Sequence, residues 1–106
     1  MDVRRILVAN ELTSYRQTIA IVIRELYPEV EVFEADSEAL DWEVDRLAPD
    51  LVICSRVTPA VRERVANWVE LYPSCTPFST FCIRGESRAM GDVQLSDLLS
   101  LCASPL

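Results

Sequence analysis

The chain has 106 residues, half of them apolar and a quarter charged, and its net charge is −7. This length is typical of one domain, so we expect residues 1–106 to form a single domain, and the acidic balance disfavours direct binding to nucleic acid. All ten basic residues are Arg because the chain has no Lys and no His, which excludes Ser-His-Asp and Cys-His catalysis, imidazole metal sites, Schiff bases and a P-loop lysine.

The first third of the chain predicts a strand, a helix and a second strand. The unbroken apolar run Ile6–Ala9 is typical of a strand that a parallel sheet buries on both faces. A helix is predicted from about Ser14 to Tyr27, because the apolar residues there follow a helical spacing until Pro28. A second short strand is predicted over residues 30–33.

The middle third repeats this alternation of helix and strand. A stripe of three apolar residues predicts a helix that ends before Pro49, and Leu51–Cys54 again has the composition of a buried strand. That stripe consists of Leu40, Val44 and Leu47. Thr58 and Pro59 predict the start of another helix, with Thr as its N-cap and Pro in its first turn. The apolar face of this helix is expected to comprise Val61, Val65, Trp68 and Val69, and Pro73 is expected to end it.

The last third predicts a strand, a turn and a final helix. A strand is expected from about Ser79 to Ile83, followed by a turn over residues 84–86. Residues 87–93 fit either a return strand, which would make an antiparallel ribbon, or a loop. The final helix is predicted from a stripe of Leu95, Leu98, Leu99 and Cys102. The segment before Leu95 is too short for a further helix and strand.

The cysteines and the hydropathy pattern indicate a reducing compartment. Cys54, Cys75, Cys82 and Cys102 include no pair with the two-residue separation of redox or zinc sites, so we expect structural thiols. No apolar run approaches the length of a signal peptide or a membrane span. We therefore expect a cytoplasmic protein that does not bind membranes.

Two segments resemble the receiver domains of bacterial two-component response regulators. The strand Ile6–Ala9 with Asn10 and Glu11 looks like the family's first strand with its acidic pair. The segment Pro49–Pro59 is the more specific match, because the family's third strand commonly reads as Pro, Asp, four apolar residues, the phospho-acceptor Asp, three more residues and Pro. The resemblance covers residues 4–72 well and the remainder poorly. It implies an α/β fold with three layers around a flavodoxin-like parallel sheet, truncated in its C-terminal third, where the fourth helix is missing.

The same resemblance implies that the phosphorylation site is degenerate. Asn10 and Glu11 stand where the family places two acids that hold Mg²⁺, and Ser55 stands at the phospho-acceptor position. Arg84, or alternatively Ile83, falls near the Thr or Ser that senses the phosphoryl group, and the family's invariant Lys has no counterpart. A single carboxylate should hold Mg²⁺ poorly, and a serine without a neighbouring base is a weak nucleophile. We expect neither catalysis nor a bound metal or cofactor.

The polar residues after the first and third strands have two interpretations. Asn10, Glu11 and Ser55 are expected to meet outside the carboxyl ends of these strands, where strand order reverses and where such sheets bind ligands. The favoured interpretation is a hydrogen-bonded cluster that covers the strand ends. The other is a remnant pocket for a small ligand, or for a kinase that modifies Ser55.

Three functions are consistent with these features. The first is a non-catalytic pseudo-receiver that works in bacterial signalling by binding a protein partner, or by forming a homodimer, through its C-terminal third. The second is an atypical but functional phosphorelay receiver, and the third is a small-ligand-binding flavodoxin-like protein. Trp42 and Leu101 are the candidate interface residues because each lies off the apolar stripe of its helix, whereas Trp68 is expected in the core.

Overall fold

A computed structural model describes residues 4–72 and 78–103. These residues form six strands, four α-helices and one short 3₁₀ turn over Ser37–Ala39. The strands are β1 (Arg5–Ala9), β2 (Glu31–Glu34), β3 (Leu51–Cys54), β4 (Asn67–Glu70), β5 (Phe78–Ile83) and β6 (Glu86–Gly91). The helices are α1 (Thr13–Leu26), α2 (Leu40–Leu47), α3 (Pro59–Arg64) and α4 (Leu95–Ala103).

The six strands form one mostly parallel sheet in the order β2-β1-β3-β4-β5-β6. The pairings among the first four strands are parallel, which requires crossover connections, and α1, α2 and α3 lie in these connections. β5 is antiparallel to β4, and β6 is antiparallel to β5. Of the two alternatives for residues 87–93, the structure therefore contains the return strand and the antiparallel ribbon.

The core consists of two apolar clusters, one on each face of the sheet. Alternate residues of β1 divide between them: Ile6 and Val8 pack with residues of α1 and α4, and Leu7 and Ala9 pack with residues of α2 and α3. All four of these strand residues are inaccessible to solvent. The fold therefore has three layers, with α1 and α4 on one face and α2 and α3 on the other.

The helix predicted to continue to Val69 is wrong in its second half. α3 ends at Arg64, and Val65 already has extended backbone angles. Trp68 and Val69 belong to β4, where successive side chains are buried in opposite core clusters, as only a strand allows. The predicted start was correct, because Oγ1 of Thr58 accepts a hydrogen bond from the backbone N–H of Val61. Pro73, predicted to end the helix, lies outside the described residues.

Between β4 and α4 the described residues form two strands and no helix. No helix was predicted between residues 83 and 95, and the structure has the strand β6 in this interval. Among the helices described, none is both long and apolar enough to cross a membrane.

Candidate functional site at the carboxyl ends of the parallel strands

Glu11 and Ser55 lie side by side where β1 and β3 end. The backbone N–H of Glu11 donates a hydrogen bond of 2.8 Å to Oγ of Ser55. The parallel register places Ala9 opposite Cys54, so the residues that follow these two strands emerge together at one edge of the sheet. The Ser55 hydroxyl oxygen is thus already an acceptor for the backbone of the neighbouring strand end.

Asn10 is also at this edge, but it points inward. Its side chain is buried, and Oδ1 has no hydrogen-bond partner among the described residues. An amide oxygen carries no formal charge, so Asn10 adds no anionic ligand to the carboxylate of the exposed Glu11. The end of β1 therefore carries one solvent-exposed carboxylate and one buried amide.

Arg16 covers the ends of β1 and β2, a role that the sequence did not indicate. Its side chain, only 14% exposed, donates from Nη1 to the carbonyl oxygens of Asn10 at 3.2 Å and Ala35 at 3.5 Å. The same nitrogen lies 3.4 Å from Oδ1 of Asp36. An Arg on the polar side of a helix ordinarily extends into solvent, so nothing in the periodicity distinguishes Arg16 from the other arginines.

Glu70 closes the corresponding end of β4. Its Oε2 accepts a 2.8 Å hydrogen bond from the backbone N–H of Val57 in the segment before α3. Burial, and then the negative charge of Glu70, raise the pKa of the neighbouring Cys54 thiol to about 12. Cys54 is therefore protonated at neutral pH, and it donates to the carbonyl of Val69 rather than acting as a nucleophile.

Arg84 is not part of this cluster. Its backbone N–H donates to Oδ1 of Asn67, whose Nδ2 donates to the carbonyl of Asp50, the residue before β3. Arg84 therefore lies at the amino ends of β3 and β4, the opposite edge of the sheet from Ser55. The reason is that β5 runs antiparallel to β4. The carboxyl end of β5, where Arg84 follows, therefore lies at the edge opposite to the carboxyl ends of the parallel strands.

The contacts observed at this edge are hydrogen bonds and the ion pair between Arg16 and Asp36. The described residues include no group of three acidic, His or Cys side chains arranged to hold a metal ion. Ser55 has no imidazole or amine beside it, because the chain contains neither His nor Lys. The three site positions that meet here, Asn10, Glu11 and Ser55, form the hydrogen-bonded end of a sheet.

The two tryptophans and Leu101 have different environments. Trp42 is 66% exposed and its ring lies 5.4 Å from the guanidinium of Arg46, whereas Trp68 is buried as predicted, although on a strand. Leu101 is half-buried and packs against the core cluster beneath α4. Leu101 is therefore less exposed than Trp42, the other candidate interface residue.

Comparison with known proteins found no match for this chain. No protein-family model matches the chain, and neither the curated proteins nor the solved structures contain a match.

Proposed function

We propose that the chain is a receiver-like interaction module of bacterial signalling whose output is protein binding rather than phosphotransfer. The proposed flavodoxin-like layout is supported by the strand order β2-β1-β3-β4, which begins the order 2-1-3-4-5 of that architecture. The antiparallel β5 and the additional β6 are departures from it, and both fall in the part of the chain where the resemblance is poor.

The observation that carries the proposal is that polar contacts of the protein itself occupy the strand ends. Receiver chemistry needs a carboxylate nucleophile and a bound cation in that crevice. Here the nucleophile position is Ser55, which accepts from the backbone N–H of Glu11, and the guanidinium of Arg16 donates to the carbonyls that follow β1 and β2. These contacts use one lone pair of the Ser55 hydroxyl and the Nη1 donors of Arg16, so a ligand that needed the same groups would have to displace them.

The C-terminal third is the proposed interaction surface. β6 is an edge strand of six residues, most of them exposed, and α4 covers only one face of the ribbon. Trp42, on the opposite face of the sheet, is a second exposed surface for a partner. Neither surface requires the strand-end cluster to change.

The test is incubation with acetyl phosphate and Mg²⁺, followed by intact-mass measurement. We expect no mass increase, because an acyl phosphate requires a carboxylate at position 55 and a serine without a base is unreactive. Ser55→Asp is the matched variant, and it should also remain unmodified because the crevice has one exposed carboxylate and no Lys. A hydroxylamine-labile phosphoryl group on the wild-type chain would show that it is a working receiver.

A second candidate function, the binding of a small apolar ligand, is supported by one cavity. It lies between α1 and α4, has a volume of about 160 Å³ and includes Tyr15, Leu71 and Leu98 in its lining. Ligand pockets are usually about 300–1,000 Å³. The cavity is therefore suited only to a ligand smaller than most, and we rank this function second.

A further inference from the structure

The β5–β6 hairpin determines which backbone groups of β6 face outward. Arg84 and Gly85 connect the strands and both have positive φ, 54° and 85°, as a two-residue type I′ turn requires. In such a hairpin the flanking pair Ile83–Glu86 is hydrogen-bonded, and the bonded pairs alternate from there. Glu86, Arg88 and Met90 consequently direct their N–H and C=O groups toward β5. Ser87, Ala89 and Gly91 direct theirs toward the open edge.

This open edge has few of the features that usually prevent pairing. Natural edge strands are commonly protected by charged side chains, especially Lys, by Pro or by a β-bulge, and of these β6 has only the oppositely charged Glu86 and Arg88. β6 contains no Pro, its register with β5 is continuous over all six residues, and the chain has no Lys. Within the part of the chain that the structure describes, β6 pairs only with β5.

From this geometry, and resting on the proposed function, we propose that β6 pairs antiparallel with β6 of a second copy of this chain, with Ala89 on the two-fold axis. Only registers that place the outward-facing residues opposite one another form a ladder. An axis through Arg88 would put two arginines directly opposite each other, which is destabilising. An axis through Ser87 would require the turn residue Gly85 to pair, and an axis through Met90 would pair only Ala89 with Gly91 and make about four backbone hydrogen bonds. The axis through Ala89 pairs Ser87 with Gly91 of the second copy and makes about six backbone hydrogen bonds.

The side chains and charges of β6 are suited to a second copy. The chain carries a net charge of −7, so two copies repel each other over most of their surfaces. β6 has one acid, Glu86, and one base, Arg88, and is neutral over its six residues. Asp92, which this register would place opposite Glu86 of the second copy, lies beyond the end of the strand and has a positive φ of 51°. In this register Met90 of the second copy lies beside the aliphatic stem of Arg88, at the rim of an open groove whose walls include Phe81, Ile83 and Leu101. The residues whose backbone N–H and C=O groups face the second copy all have small side chains or none: Ser87, Ala89 and Gly91.

The first test uses proline at an outward-facing amide. Ala89→Pro removes an N–H that β5 does not use, so the monomer should fold, whereas the two-fold ladder loses its central bonds. Ala89→Ser keeps the N–H and is the matched control. Light scattering over a wide concentration range should show a dimer for the wild type and Ala89→Ser, and a dissociation constant about tenfold or more higher for Ala89→Pro. A wild type that stays monomeric, or an Ala89→Pro variant that dimerises equally well, would overturn the proposal.

The second test needs no substitution and therefore does not depend on the folding of the proline variant. Residue-resolved hydrogen exchange of the wild type should show protection of the Ser87, Ala89 and Gly91 amides that rises with protein concentration. The Arg88 and Met90 amides, which bond to β5, should be protected at every concentration. Rapid exchange of the outward amides in a sample that is dimeric by mass would overturn the proposal. If a different protein protected these amides in a monomer, the proposed β6 pairing would be overturned but the proposed function would stand. Acyl-phosphate formation would instead refute the proposed function.

Discussion

At the scale of single residues, the strand-end cluster depends on Arg16 more than on the residues that the sequence singled out. Its guanidinium satisfies two backbone carbonyls, of Asn10 and Ala35, that β1 and β2 leave exposed at their ends. Asn10 itself is buried, and its Oδ1 has no hydrogen-bond partner among the described residues, whereas its backbone carbonyl accepts from Arg16.

Arg16→Gln should lower the free energy of unfolding by about 1–2 kcal/mol, because two part-buried carbonyls lose a charged donor. The matched control is Arg64→Gln. Arg64 pairs with Asp45 and both side chains are more than half exposed, so its loss should cost less than about 0.5 kcal/mol. Urea titration of the three proteins measures the difference. Equal costs for the two variants would show that the contacts of Arg16 contribute no more than a surface ion pair.

The buried thiols predict a loss of stability at alkaline pH. Burial raises the pKa of Cys54 to about 12 and that of Cys102 to about 11, from an ordinary value of 9.0. Above pH 9 the unfolded chain releases these protons while the folded chain retains them, so the free energy of unfolding falls as pH rises. The slope should approach roughly 1 kcal/mol per pH unit for Cys54.

Urea midpoints measured from pH 8 to about pH 10 test this slope, with Cys54→Ala as the comparison. The variant is less stable at pH 8, because it leaves a small cavity, but its stability should decline less steeply. A wild-type midpoint that does not change over this interval would contradict the assigned protonation state.

At the scale of elements, the β5–β6 hairpin is stabilised by a turn whose sequence is not the optimal one for its conformation. Arg84 adopts a left-handed backbone that Asn or Gly tolerates better, and Gly85 has the conformation for which glycine is suited. Asn67 anchors the turn to the sheet through its bonds to Arg84 and Asp50. The hairpin therefore has local strain at one residue and a tertiary bond beside it.

Arg84→Asn should stabilise the fold by about 0.5 kcal/mol, because Asn adopts positive φ at lower cost and the backbone N–H to Asn67 is kept. Gly85→Ala should destabilise it by about 1 kcal/mol for the same conformational reason. A Cβ on Gly85 would meet no atom within 4 Å, so steric clash does not contribute. Thermal unfolding measures both shifts, and opposite signs from those stated would contradict the type I′ turn.

At the scale of the whole molecule, the two core clusters share the strands that separate them. Ile6 and Val8 face one cluster while Leu7 and Ala9 face the other, and all four are fully buried. Loss of packing on one face must therefore affect the other through the same strands. We expect the domain to unfold as one cooperative unit.

Leu98→Ala, on the buried face of α4, should reduce the free energy of unfolding by about 2–4 kcal/mol. The midpoint reported by Trp68 fluorescence, from the opposite cluster, should shift as much as the midpoint reported by circular dichroism. Trp42→Phe provides the background for this measurement, because Trp42 is exposed and its ring contributes little to the core. Two separate transitions would show that the faces unfold independently.

The sequence alone was sufficient to predict the elements whose pattern of apolar residues indicates a single type of secondary structure. Ile6–Ala9 and Leu51–Cys54 are short apolar runs after charged or turn residues, and α1 has a long helical period, so all three were predicted correctly. The exclusion of imidazole and amine chemistry likewise needs only the composition. These conclusions depend on local propensity and on residue type, which a sequence carries without any tertiary contact.

Only the tertiary structure decided where the ambiguous segments lie. The spacing of Val61, Val65, Trp68 and Val69 fits a helix as well as a helix followed by a strand, and pairing with β3 selects the strand. The edge to which Arg84 belongs depends on the direction of β5, which local residues do not encode. Arg16 contacts carbonyls of two different strand ends, and such contacts arise only when distant segments meet. The physical reason is the same in each case: strand pairing and strand direction are non-local, and their energy appears only in the assembled sheet.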